Sequence, residues 1–205
     1  MTDKKAKSSK KTTPVRRMGA EDSKQRVLFI DAAEELLRSE GYVAISARQV
    51  AAKAGLKTQL LYYYFLTMDD LILAVVKRIN ERRLHRFNEA LAAPEPLRAL
   101  WEMNSDPTNA ALSAELTTIA THREAVRAEV IREAREFRAL QRDAVTKLIG
   151  KRAGKDAPAA GLLMIATGLA RTLVSESSLG LTDGHAEARA IVDRYLRELE
   201  KPAKG

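Results

Sequence analysis

The residues of this chain best suited to chemistry form hydrogen bonds rather than attack bonds. The stretch "KTQLLYYYF", Lys57 to Phe65, sets Thr58 and Gln59 beside Tyr62, Tyr63 and Tyr64, three of the five tyrosines in the chain. On a helix, successive side chains turn by roughly 100°, so three neighbours fan over about 200° of surface. One buried face cannot take that arc, so at least one phenol faces outward. Catalytic chemistry has little to work with. The chain has no cysteine, which excludes disulfides, iron–sulfur clusters and thiol nucleophiles. His85, His122 and His185 are scattered without metal-ligand spacing. No glycine-rich phosphate loop occurs, and the remaining nucleophiles lack a visible partner base. The expectation is a protein that is not an enzyme, with no cofactor and no metal.

The elements that position these side chains read as helices throughout. Aromatics are 5% of the chain, while alanine, leucine, arginine and glutamate recur, a composition that favours an all-α fold. "MTDKKAKSSKKTTPVRRMGAEDS" has no apolar periodicity, and residues 1–21 are expected to be a basic, disordered tail. Order begins near Asp22 or Ser23, either of which can cap a helix. That helix places Phe29, Ile30, Ala33, Leu36 and Leu37 on one stripe and ends at Gly41, where a left-handed turn is wanted. Ser46 and Gln49 read as a capping box opening a brief helix with Val50, Ala51 and Ala54 inward. Gly55 turns the chain into a second short helix, from Lys57 or Thr58 to Phe65. Thr67 and Asp70 then open a long helix that stops before Pro94 and Pro96. Two short helices joined by a glycine-containing turn and leaning on a first helix are the grammar of a helix-turn-helix. At least four further helices follow, one of them started by Asp106 and Pro107. No internal repeat is visible.

Charge is unevenly placed. Residues 1–26 hold nine Lys/Arg against Asp3, Glu21 and Asp22, so 9 − 3 = +6 of the net +8 lies there. A polyanion, with nucleic acid first, suits such a tail, and a solvated leader is the alternative. The N-terminus lacks the apolar core of a secretion signal. The run "APAAGLLMIATGLARTLV" is broken by Arg171 and reads as too short and alanine-rich to span a bilayer. A cytoplasmic protein without a membrane partner is expected.

"VLFIDAAEELLRSEGYVAISARQVAAKAGLKTQLLYYYFLTMDDLILAVV" resembles the N-terminal DNA-binding domain of TetR-family transcriptional regulators. Matching features are the "DAAEELLRSEGY" first helix, the "VAAKAGL" turn, "LYYYF" and the "TMDDL" start of a fourth helix. They cover about fifty residues in the right order. The resemblance implies an N-terminal three-helix helix-turn-helix domain, residues 22–68, linked by a long fourth helix to a helical ligand-binding and dimerisation domain, residues 69–205. It also implies that the tyrosine-bearing helix lies in the DNA major groove. Carried over by position, Thr58 and Gln59 touch base edges and Tyr62 reaches phosphate or a thymine methyl. Tyr63 and Tyr64 fall where backbone contacts are made, and Ser46, Arg48 and Lys57 meet phosphate or guanine. The alternatives are that Ser46 and Gln49 only cap their helix and that Tyr63 or Tyr64 is mostly core. Two positions depart from the family pattern. Leu60 replaces a small or hydroxyl residue, and Met68 replaces a lysine that would neutralise a phosphate. The basic tail is expected to compensate by lying along phosphates or in the minor groove.

Beyond residue 94 the helical layout only looks like the family's regulatory half. An effector pocket is expected among Trp101, Met103, Leu116, Ile119, His122, Phe137, Leu140 and Met164, with Arg171 either receiving an anion or pairing with a carboxylate. Helical spacing of apolar residues also fits plain core. The last two helices, rich in small and apolar residues at "GLLMIATGLARTLV", are the expected homodimer interface. The implied function is a homodimeric repressor released from a palindromic double-stranded DNA operator by a small, largely apolar effector. The competing function is a non-specific architectural DNA-binding protein that uses its tail.

Overall fold

The computed structural model describes residues 23–150 and 158–200, so the basic tail lies outside the described residues. The described residues hold nine α-helices and no strand. These are α1 Lys24–Ser39, α2 Ala47–Lys53, α3 Thr58–Tyr64, α4 Met68–Ala92, α5 Pro96–Asn104, α6 Pro107–His122, α7 Glu124–Ile149, α8 Ala159–Ser178 and α9 His185–Glu200, with a 3-10 turn at Tyr42–Ala44.

The boundaries have local causes. At the start of α4, Thr67 N–H donates to Asp70 Oδ2 at 2.9 Å and Asp70 N–H donates to Thr67 Oγ1 at 3.1 Å, the reciprocal box that the sequence predicts. Asp106 Oδ1 accepts from Thr108 N–H at 2.9 Å, and Pro107 gives up an amide that the first turn leaves unpaired anyway. The box at α2 is only half made. Ser46 Oγ accepts from Gln49 N–H at 3.3 Å, but the Gln49 side chain accepts the Ser46 hydroxyl at 2.7 Å instead of reaching the Ser46 amide. Lys57, not Thr58, is the residue before α3, and no side chain caps it. Gly55 sits at φ +67° between α2 and α3, where Leu56 N–H closes back on the Ala51 carbonyl at 3.0 Å.

Two apolar clusters stand along α4. The first joins α1 to α3 through Phe29, Leu37, Val50, Leu61 and Phe65, and the N-terminal half of α4 supplies Leu71, Ile72, Val75 and Val76. Leu112 and Ile119 of α6 and Val126 of α7 complete it. The predicted stripe of α1 is entirely buried. Each such side chain contributes about 1.5–3 kcal/mol by leaving water. The second cluster holds Phe87 and Ala90, from the far half of α4, against α5, α7, α8 and α9. α4 is thus the element common to both cores.

Candidate nucleic-acid interface and internal cavities

α3 is held by its apolar face. Leu61 and Phe65, one turn apart, are completely sealed, and Leu60 is half-buried against the same cluster. That burial turns Gln59, Tyr62 and Tyr63 outward, with the two tyrosines 38% and 49% exposed. Thr58 is half-buried at the first helical position and Lys57 is exposed just before it. Arg48 and Gln49 are exposed on α2, and Ser46 is half-buried as its cap. Arg48 and Lys57 form no ion pair among the described residues, whereas Lys53 is taken up by Glu35 at 2.6 Å. The surface therefore combines amide, phenol and unpaired cation, the groups that read base edges and hold phosphate.

Tyr64 does not belong to that surface. Its ring is 6% exposed, and its hydroxyl accepts from Ser23 Oγ and donates to Gln25 Oε1, both at 2.8 Å. It ties α3 to the start of α1 and packs edge-on against Tyr63 at 5.1 Å. The fan of three tyrosines resolves into two outward and one inward.

The attachments of this surface to the rest of the molecule were not anticipated. Glu34 of α1, nearly fully buried, accepts from Arg38, Arg78 and Arg82 at 2.8, 3.0 and 2.6 Å. Burial alone would raise the Glu34 carboxyl, but the Arg38 hydrogen bond and the Arg78 and Arg82 charges outweigh it and hold the group below its ordinary value. The fold sets Asp31, Glu34 and Arg38 of α1 against Arg78 and Arg82 of α4, charges whose pairing the sequence alone does not reveal. A second attachment centres on Tyr42. Its N–H donates to Glu115 Oε2 of α6 at 2.7 Å, its hydroxyl accepts from Arg123 Nε at 3.1 Å, and Arg123 also pairs with Asp69. Gly41, at φ +77°, leaves room for this, because a β-carbon there would stand 3.3 Å from the Glu115 carboxylate.

Two adjoining cavities, among several in the other half, share a wall. One of about 340 Å³ sits between α5, α7, α8 and α9, walled by Leu100, Trp101, Val145, Ile149, Leu163 and Leu196 among others. The second, about 200 Å³, lies between α4, α6, α7 and α8, and Arg83, Arg86, Arg138 and Arg171 all line it. Asn104, Gln141 and Thr167 line both. Of the predicted pocket residues, Trp101 lines the first cavity, while Met103, Leu116, Phe137 and Arg171 line the second. Four predicted members fall elsewhere. Ile119 is sealed in the first core because α6 leans on α1. His122 stacks on the Tyr42 ring at 6.4 Å. Leu140 faces outward, and Met164, exposed on α8, lines a further cavity of about 330 Å³ together with Arg138 and Gln141. Gln141 was missed, a buried amide amid apolar neighbours. No group of His, Asp or Glu among the described residues could hold a metal ion.

Comparison with known proteins agrees with this geometry. Residues 29–75 match the family model of the bacterial regulatory proteins of the tetR family. A TetR transcription regulator from Haloarcula marismortui superposes with a TM-score of 0.64 at 23% identity, covering 84% of this chain and 96% of its own. A regulator of the TetR/AcrR family from Thermobifida fusca gives 0.57 at 21% identity, covering 89% and 100%. The multidrug binding protein EbrR, complexed with imidazole, gives 0.56 at 26% identity, covering 76% and 82%. No curated protein matches the chain. The matched segment runs from within α1 to the first turns of α4 and carries the whole helix-turn-helix, so residues 29–75 form a DNA-binding segment of the tetR type, and the neighbours share the helical layout beyond it.

Proposed function

We propose that the chain is a homodimeric repressor that reads a palindromic operator with α3 and releases it when a small, largely apolar effector fills the cavity under Trp101. Residues 22–68 serve as the DNA-binding domain and residues 69–205 as the regulatory one, acting in the cytoplasm. The observation that carries the DNA contact is the polar face of α3, with Gln59, Tyr62 and Tyr63 outward over sealed Leu61 and Phe65. Gln59 and Thr58 contact base edges, while Arg48 and Lys57 contact phosphate. Ser46 adds a hydroxyl at the edge of the same surface.

Dimerisation is supported by the outer faces of α8 and α9. Met164, Ile165, Ile191 and Tyr195 are exposed there, the last three also lining the larger cavity, and Gly168 has open space where a β-carbon would stand, so a partner helix can approach closely. By length and composition α8 is also long and apolar enough to cross a membrane. Its contacts with α5, α6 and α7 favour a second copy as the partner of its exposed face. An effector acts on DNA through α4, whose two halves sit in the two cores. Displacement at the cavity moves α4, and with it the spacing of the two recognition helices. EbrR, with imidazole bound, is one neighbour that holds a small molecule.

Footprinting on genomic DNA with a thousandfold excess of unrelated duplex tests the proposal. A two-fold-symmetric protected site is expected, since specific binding exceeds non-specific by about 10³ or more. Uniform protection lost with the competitor would favour the architectural alternative, in which the basic tail does the binding.

A further inference from the structure

We propose that the effector is an amphipathic anion, its apolar chain in the cavity under Trp101 and its charged head beside Arg138 and Arg171, with the Gln141 amide between them. This deepens the effector reading above and rests on it.

Three observations converge. The larger cavity is walled almost wholly by carbon, and roughly 30 Å³ per small group gives its 340 Å³ room for a chain of about ten heavy atoms. The adjoining cavity is lined by four arginines and by no acidic residue among the described ones. Arg86 is committed to Asp106 and Asn109, whereas Arg83 bonds Asn80 through one terminal nitrogen and keeps Nε buried without a partner. Arg138 and Arg171 line the same cavity from solvent-exposed positions and form no hydrogen bond or ion pair with any described residue. Unpaired guanidiniums facing a cavity attract an oxyanion, which they can hold through two parallel N–H bonds.

The shared wall supplies the third observation. Asn104 donates to the Leu100 carbonyl and Thr167 to the Leu163 carbonyl, each at 2.7 Å, so each has a donor engaged within its own helix. Gln141 is 5% exposed, lines both cavities and makes no side-chain hydrogen bond with any described residue. Its amide reaches the cavity space rather than being sealed in the core, so it is open to a ligand's hydrogen bond. A ligand head crossing from the apolar chamber to the arginines passes this amide and satisfies it. A cation would meet the unpaired guanidiniums of Arg138 and Arg171, and a purely apolar molecule would leave Gln141 unbonded.

Trp101 is the only tryptophan and lines the apolar cavity, so its fluorescence reports chain entry directly. The full chain is titrated with decanoate, decyl phosphate, decan-1-ol and decyltrimethylammonium at one ionic strength. At least one of the two anions should bind about tenfold tighter than the alcohol, equivalent to about 1.4 kcal/mol, and the cation should bind more weakly than the alcohol. Whichever anion is tighter identifies the head as carboxylate or phosphate. The Arg138→Ala/Arg171→Ala variant should lose the anion preference while keeping its affinity for the alcohol. Arg127→Ala, an exposed arginine elsewhere on α7, should keep the preference. An alcohol or cation that binds as tightly as both anions, a double variant that retains the preference, or no saturable Trp101 change with any of the four overturns the proposal. Footprinting decides the DNA reading separately, so either can fail while the other stands.

Discussion

Gln59 and Thr58 stand where specificity should reside, and their neighbours where affinity should. Gln59→Ala is expected to cost about 1–3 kcal/mol at one base position and to relax preference there. Lys57→Ala should weaken all sequences alike and reduce the slope of log K against log salt by about one. Quantitative binding to single-base operator variants at several salt concentrations separates the two effects, and identical behaviour of both substitutions would remove the assignment. Glu34 governs attachment rather than recognition. Its carboxyl is held below the ordinary range, so its stabilisation is complete above the unfolded value of about 4.3 and is lost as pH falls through the lower folded value. Glu34→Gln leaves three guanidiniums facing a neutral amide. With Arg82 and Arg38 partly in water, a loss of about 2 kcal/mol at neutral pH is expected. Thermal midpoints should show the variant below the wild type at pH 7 and the gap closing below about pH 4. A gap that stays constant with pH would contradict the role given to this charge.

Among the elements, the turn between α2 and α3 sets the angle at which the recognition helix leaves the bundle. Gly55 holds φ at +67° with open space around it, so Gly55→Ala meets backbone strain but no clash. About 1 kcal/mol of destabilisation is expected, or about 2–4 °C in the thermal midpoint of a chain this size, and an unchanged midpoint would show the turn to be indifferent. Most helix limits were legible because they depend on neighbours in sequence. Thr67 with Asp70, Asp106 with Pro107, and the glycines at 41 and 55 act within a few residues of themselves. What depends on partners distant in sequence was not legible. Periodicity showed that Ile119 and Leu140 lie on apolar faces, but not that α6 delivers Ile119 to the first core or that Leu140 faces water. Which of Tyr63 and Tyr64 turns inward stays open in the sequence for the same reason. The partners of Tyr64, Ser23 and Gln25, lie some forty residues away on α1.

At the scale of the molecule, α4 makes one body of two cores, and the exposed apolar strip of α8 and α9 asks for a second copy. Ile165→Glu with Ile191→Glu places charges at the centre of that strip. Light scattering should show about twice the 22.7 kDa chain mass for the wild type and the single mass for the variant. An unchanged dimer would move the interface elsewhere. The central claim, that α3 reads DNA sequence, is tested most directly by selecting bound duplexes from a random pool with the full chain and with a Thr58→Ala/Gln59→Ala variant. The account predicts a two-fold-symmetric consensus for the wild type, and loss of preference at the same one or two positions of each half-site for the variant. No consensus with the wild type, or the same consensus with both proteins, would contradict it.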